Sequence, residues 1–254
     1  MMNIFKKNPP QEAKSLKKWD RDYVRKKYET QKYGRWLIYY PAQNPKRLVI
    51  VFGSMSPDRY DRYSWFWQED ENWQETSYLF FKDDEMHYFL GTDAKPLKDV
   101  YFKIIREYIA INKITNQNVH CVGGSMGGYA AIYYAAILGL NSAITCNPQI
   151  DLESTIAHQY YNWERQIHEM GRQWYDLDKF ILKHKKVPNI YIEYGNYPAD
   201  KLAAEKLIKA VQFYHGIIIV RKTQWQEHTV NALDKSTIES CIQYFESLDF
   251  SQEK

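Results

Sequence analysis

The sequence predicts an α/β fold in which a mostly parallel sheet carries helices on both faces and a helical insertion above it. Short apolar runs at 47–52, 77–81, 119–122, 143–146, 189–194 and 216–220 alternate with longer segments of helical period, and that alternation is how a parallel sheet covered on both sides is written. One of these runs enters a Gly-x-Ser-x-Gly turn at 123–127 and leaves it directly into a helix of small apolar residues. With 254 residues, 44% of them hydrophobic, the chain can bury one large core.

Taken in order, residues 1–34 read as a basic N-terminal arm or helix and residues 35–254 as a single domain with a cap insertion at about 151–186. Asn8-Pro9-Pro10 breaks any early element, and 15–33 reads as helical. The strand at 35–40 is stopped by Pro41, and the more apolar 47–52 should be central. It ends in Gly53-Ser54-Met55-Ser56-Pro57, a loop too rich in turn residues to extend a sheet. An aromatic loop over 60–73 precedes the strand 77–81. Val100, Ile104, Ile105, Tyr108 and Ile109 then line one face of a helix over 98–112. After the glycine turn come a helix over 126–140, a strand at 143–146 closed by Asn147-Pro148, and the polar, aromatic insertion. A strand at 189–194, a helix over 199–213, a strand at 216–220 and a last helix from about 229 to 248 complete the pattern.

Charge and cysteine usage bound the setting. Residues 1–35 hold 11 Lys and Arg against 4 Asp and Glu, a local +7, so the remainder carries −4 of the overall +3. A basic arm of this kind is either a solvated helix or tail, or a contact for an anionic glycan or membrane surface; no nucleic-acid partner is expected. Cys121, Cys146 and Cys241 form an odd set without framework spacing, as buried reduced thiols do. The chain has no apolar run of about eighteen residues and no apolar stretch near its start, so the expected location is cytoplasmic.

The turn Gly123-Gly124-Ser125-Met126-Gly127 has the residue types of a nucleophile elbow. Close backbone approach excludes side chains at the flanking glycines and lifts the serine to the tip, just before unpaired N–H groups of a helix N-terminus. A serine hydroxyl needs a base, and the base an orienting acid. Of seven histidines, only His228 lies after the last predicted strand and before the closing helix, where chain order puts the base. Asp200 is the carboxylate in the loop after 189–194; the same position suits an aspartate favoured only by the helix dipole. Glu193 is the fallback acid. The backbone of Met126 and of Ser54 or Met55 would form the oxyanion hole, with the serine exposed between them. Trp65, Trp163 and Trp174, in the aromatic loop and the insertion, are candidate substrate contacts, against the alternative that they only pack. No metal or phosphate-loop motif occurs, so no metal and no bound cofactor are expected.

From residue 35 onward the chain resembles the α/β-hydrolase superfamily. Gly-Gly-Ser-Met-Gly-Gly-Tyr-Ala-Ala at 123–131 and Asn147-Pro148-Gln149 resemble, within it, bacterial capsular-polysaccharide O-acetyltransferases. That resemblance implies transfer of an acetyl group from acetyl-CoA to a hydroxyl of a polysaccharide or sugar acceptor through an acyl-serine, with Ser125 as nucleophile, His228 as base and Asp200 as acid. The same residues would serve a carboxylesterase or a glycan deacetylase. A non-catalytic member binding a glycan or a partner protein is the third expectation.

Overall fold

A computed structural model describes residues 20–67, 74–229 and 233–248. The core is an eight-stranded sheet made of β1 (Glu29–Lys32), β2 (Arg35–Tyr40), β3 (Arg47–Phe52), β4 (Thr76–Phe81), β5 (Val119–Gly124), β6 (Ser142–Cys146), β7 (Asn189–Tyr194) and β8 (Ile218–Lys222). Their spatial order is β1-β2-β4-β3-β5-β6-β7-β8. Only β1 and β2 run antiparallel to their neighbours; β4, β3, β5, β6, β7 and β8 are parallel. β3 is central, as its unbroken apolar run requires.

Side-chain alternation along β3 separates two apolar layers. Leu48, Ile50 and Phe52 face α2 (Lys98–Asn112), α3 (Met126–Leu138), and, in the same cluster, Phe180 and Leu207. Val49 and Val51 face the opposite layer, with Val24 of α1 (Arg21–Tyr28), Tyr60, Tyr63 and Phe66 of the aromatic loop, and Phe245. The loop over 60–67 is therefore largely core, with Tyr60, Tyr63 and Phe66 buried, Trp67 packed against them and Trp65 exposed; residues 68–73 lie outside the described residues.

The N-terminal boundary differs from the expected one at residue 35. α1 stops at Tyr28, and Glu29–Lys32 pairs antiparallel with β2 through a turn at Tyr33 (φ 48°) and Gly34 (φ 76°). Two successive positive φ values match the right-handed strand twist, and they join this segment to the sheet. The arm proper, 1–19, lies outside the described residues. The insertion is helical as expected: α4 (Leu152–Ala157), α5 (Tyr161–Met170) and α6 (Leu177–His184) precede β7, followed by α7 (Pro198–Phe213) and, after β8, α8 (Lys235–Ser247). Lys206 of α7 binds Asp151, the residue that caps α4, so the insertion is anchored at its first residue. No helix among the described residues is long and apolar enough to cross a membrane.

Candidate active site

Ser125 sits between β5 and α3 with φ 53° and ψ −124°, a backbone region that costs an L-residue of order 1–3 kcal/mol and persists only where surroundings enforce it. The enforcement is visible. A Cβ on Gly123 would stand 2.1 Å from the carbonyl oxygen of Gly127, and one on Gly127 would stand 2.3 Å from that of Phe52. The turn therefore closes only with glycine at both places. Ser125 N–H donates to Cys146 O at 3.1 Å, which ties the elbow to the end of β6. As the N-cap of α3, its hydroxyl makes no capping bond.

That hydroxyl instead meets His228. Nε2 of His228 lies 2.9 Å from Ser125 Oγ, and Nδ1 lies 2.7 Å from Asp200 Oδ1. The three residues come from the elbow, the loop after β8 and the first turn of α7, and the sheet order brings the ends of β5, β7 and β8 to one edge. Pro198 opens α7 at its first turn, where proline's missing N–H costs nothing. Asp200, in that same turn, thus has both the helix dipole and an imidazole for its charge. Burial pushes the Asp200 carboxyl up, and His228 opposes that shift. Glu193, the fallback acid, is engaged elsewhere: Tyr191 Oη donates to it at 3.3 Å and Arg221 stands 3.6 Å away.

The loop that carries His228 is pinned from the ends of β6 and β7, by Asn147 of the Asn147-Pro148-Gln149 motif and by backbone bonds. Asn147 Nδ2 donates to Thr229 O at 2.7 Å while its Oδ1 accepts from Gly195 N–H at 3.3 Å. Asn196 N–H donates to Trp225 O and Thr223 N–H to Tyr194 O. Gly195 is needed because a Cβ there would stand 2.6 Å from Trp225 O. Asn147 therefore holds the β6 end, the β7 end and the histidine loop in one hydrogen-bond set.

Of the proposed oxyanion donors, Met126 opens α3, where its N–H has no intrahelical acceptor. Ser54 N–H donates to Asp61 Oδ2 at 2.8 Å, which leaves Met55 as the remaining candidate in that loop. Ser125 is 2% exposed, so the expectation of an exposed serine is corrected: the elbow lifts it from the sheet, but it does not lie open to solvent.

The tryptophans separate. Trp163 of α5 packs edge-on against His228, ring centroids 5.3 Å apart. Trp174 stacks on Tyr129 at 4.6 Å and meets Tyr88 at 4.9 Å, with Nε1 donating to Asp176; its contacts bind the insertion to α3. Trp65 lies at a cavity of about 450 Å³ lined also by Arg21, Arg59 and Arg62.

His158, which ends α4, stands with its Nε2 3.4 Å from Asp200 Oδ1 and its ring 4.7 Å from that of His228. Burial, and secondarily the charge of His228, lowers its pKa to about 3. No spacing rule marks it, because Asp200 and His228 reach it from separate segments. Among the described residues, His158, Asp200 and His228 are the one group of three ligand-type side chains close enough to hold a metal ion.

An imidazole between a hydroxyl and a carboxylate, with helix N–H groups beside the hydroxyl, can activate an oxygen nucleophile and hold a tetrahedral oxyanion. No family model matches the chain, and no curated protein matches it in sequence. Solved structures do match. The capsule O-acetyltransferase of Neisseria meningitidis serogroup A aligns at 18% identity and TM-score 0.61 over 86% of this chain and 92% of its own; a variant of that enzyme has been determined with CoA. The fluorophosphonate-binding serine hydrolase F of Staphylococcus aureus aligns at 15% identity and TM-score 0.60 over 84% and 93%. The glycosylation-associated Gap123 complex of Streptococcus agalactiae aligns at 15% and 0.63, over 89% of this chain and 47% of that one. The sheet order, the elbow and these likenesses establish that the chain has the α/β-hydrolase fold.

Proposed function

We propose that the protein is a serine-dependent acyltransferase that moves an acetyl group from acetyl-CoA to a hydroxyl of a bacterial capsular or cell-surface polysaccharide. The observation that carries this reading is the position of His228, 2.9 Å from Ser125 Oγ and 2.7 Å from Asp200 Oδ1. In the first half-reaction His228 Nε2 takes the hydroxyl proton as Ser125 Oγ attacks the thioester carbonyl. The N–H groups of Met126 and Met55 receive the oxyanion, and the thiolate leaves with the proton from His228. In the second, the same nitrogen takes a proton from the sugar hydroxyl that attacks the acyl-serine, and returns it to Ser125. Asp200 keeps the proton on Nδ1, so that Nε2 is the basic nitrogen.

Transfer is favoured over hydrolysis by the burial of Ser125 and by the insertion, which brings Trp163 against His228. An acyl-serine shielded from water waits for a bound hydroxyl. Trp163 is the sugar contact nearest the reacting groups, Trp65 the outer one, and Trp174 supports the insertion. The exposed Arg21, Lys26 and Lys27 of α1 add a cationic edge for an anionic glycan or membrane surface. The second reading, a carboxylesterase or glycan deacetylase, uses the same three residues and is favoured by the likeness to a serine hydrolase. The assembled serine, histidine and aspartate weigh against a purely binding role.

Labelled acetyl-CoA, incubated with and without capsule-type oligosaccharides, tests transfer. Acetyl groups on the glycan, with little free acetate in its absence, are expected. Rapid release of acetate that no glycan diverts would make the protein an esterase.

A further inference from the structure

The geometry points to a site for a divalent transition-metal cation of the Zn²⁺ class at His158, Asp200 and His228, where the bound ion switches the enzyme off. One ligand atom from each of these residues lies within 4.8 Å of the other two. His158 Nε2 and Asp200 Oδ1 are 3.4 Å apart, which is the spacing two ligands adopt around a tetrahedral ion with bonds of about 2.0–2.1 Å. His228 Nδ1 and Asp200 Oδ1, at 2.7 Å, need to separate by about half an ångström to admit the ion at such bond lengths.

Two further observations mark the group as more than a chance cluster. His158 Nδ1 and Asp200 Oδ2 are buried and have no hydrogen-bond partner, so the carboxylate keeps one oxygen unengaged and can turn toward an ion. Coordination would give Asp200 Oδ2 the partner that a buried carboxylate oxygen otherwise lacks. Around them, Trp163 lies 5.0 Å from the His158 ring and Tyr197 lies 5.2 Å from it, an apolar wall of the kind that limits solvent at a metal. Two imidazoles and a carboxylate are a borderline ligand set that prefers Zn²⁺ or Cu²⁺ to Mg²⁺ or Ca²⁺.

The consequence for the reaction follows from the tautomer. When Nδ1 of His228 binds the ion, the neutral ring carries its single proton on Nε2: one proton has moved between the two nitrogens and none is gained or lost. Nε2 then donates to Ser125 Oγ instead of accepting from it, and the hydroxyl has no base. Binding of the ion depends only on the three ligands, whereas its inhibitory effect rests on the proposed role of His228.

The test uses the full chain, stripped of metal by dialysis against a chelator. Calorimetric titration with Zn²⁺ should show one ion per chain, and Co²⁺ should give the intense visible absorption of a four-coordinate ion. Losing a second-shell contact alone costs about 10–100-fold in affinity, so His158→Ala, which removes a ligand, should cost at least that much. His158→Gln, which keeps side-chain volume, is the second variant if the alanine form fails to fold. In the acyl-transfer assay, the ratio of activity in Zn²⁺ to activity in chelator should be far below one for wild type and near one for either His158 variant, with Mg²⁺ inert throughout. Equal Zn²⁺ affinity in wild type and both variants would overturn the site. Tight binding that depends on His158 but leaves activity unchanged would uphold the site and overturn the switch, together with the role of His228 as base.

Discussion

Ser125, at a backbone angle few serines adopt, accepts no capping bond at its hydroxyl, which lies against His228 instead. Ser125→Ala and His228→Ala should each lower turnover by about 10⁴–10⁶, and the double variant should be little worse, because residues acting as one unit lose their contribution together. Steady-state rates of the three proteins check this; near-normal activity in either single variant would remove the mechanism. Asp200→Asn should keep the fold and lower turnover by up to about 10⁴, since the histidine loses the group that sets its tautomer, while Glu193→Gln should leave turnover within a few-fold of wild type. The reverse pattern would move the acid to Glu193. The three residues were legible because chain order in a parallel sheet fixes which loops share an edge. His158 was not, since a histidine at the end of a six-residue helix shows its neighbours only once α4 is folded against α7.

At the scale of elements, the elbow and the histidine loop depend on small parts with little freedom. Asn147→Ala would leave Gly195 N–H without its side-chain partner and Thr229 O with Cys146 Sγ as its remaining donor, so a stability loss of about 1–3 kcal/mol is expected, with a larger fall in kcat than in acceptor KM. Denaturant unfolding and kinetics together check it, and unchanged kcat would show that Asn147 does not hold the loop. α8 is fixed differently. Glu246 accepts from Arg47 Nε and Nη2, each at 2.8 Å, and lies 3.3 Å from His120 Nε2. Burial alone would raise its pKa, but His120 and Arg47 overcome that and hold it at about 2. A folded pKa below the unfolded one contributes stability above pH 4.5, the usual glutamate value, that is lost as pH falls toward 2. The stability gap between wild type and Glu246→Gln should therefore close across that window in pH-dependent unfolding; a gap independent of pH would contradict the shift. Strands and long helices were legible from period and composition. The β1–β2 hairpin was not, because Tyr33-Gly34 is not a usual turn pair and Lys32 reads as the continuation of a basic helix.

Across the whole molecule, the sheet brings Ser125, Asp200 and His228 to one edge and the insertion sets Trp163 against His228; in the proposed reaction this contact is where transfer and hydrolysis part. If Trp163 holds the acceptor beside His228, Trp163→Ala should raise the acceptor KM by roughly 10-fold or more while leaving the rate of acyl-serine formation nearly unchanged, since a contact made only with the sugar does not enter the first step. Trp174→Ala should instead lower stability, by less than the roughly 3–5 kcal/mol that truncating a fully buried ring costs, since Trp174 is half-buried. Equal effects of the two substitutions on KM would contradict the division. The sequence could not tell contact from packing among Trp65, Trp163 and Trp174, because ring direction is decided by the tertiary fold. The most direct test of the central claim is intact-protein mass spectrometry after brief exposure to acetyl-CoA without acceptor. One added acetyl group, mapped to Ser125, absent in Ser125→Ala and discharged on addition of capsule-type oligosaccharide, is the expected result; an unmodified wild-type chain that nonetheless acetylates the glycan would contradict the acyl-serine mechanism.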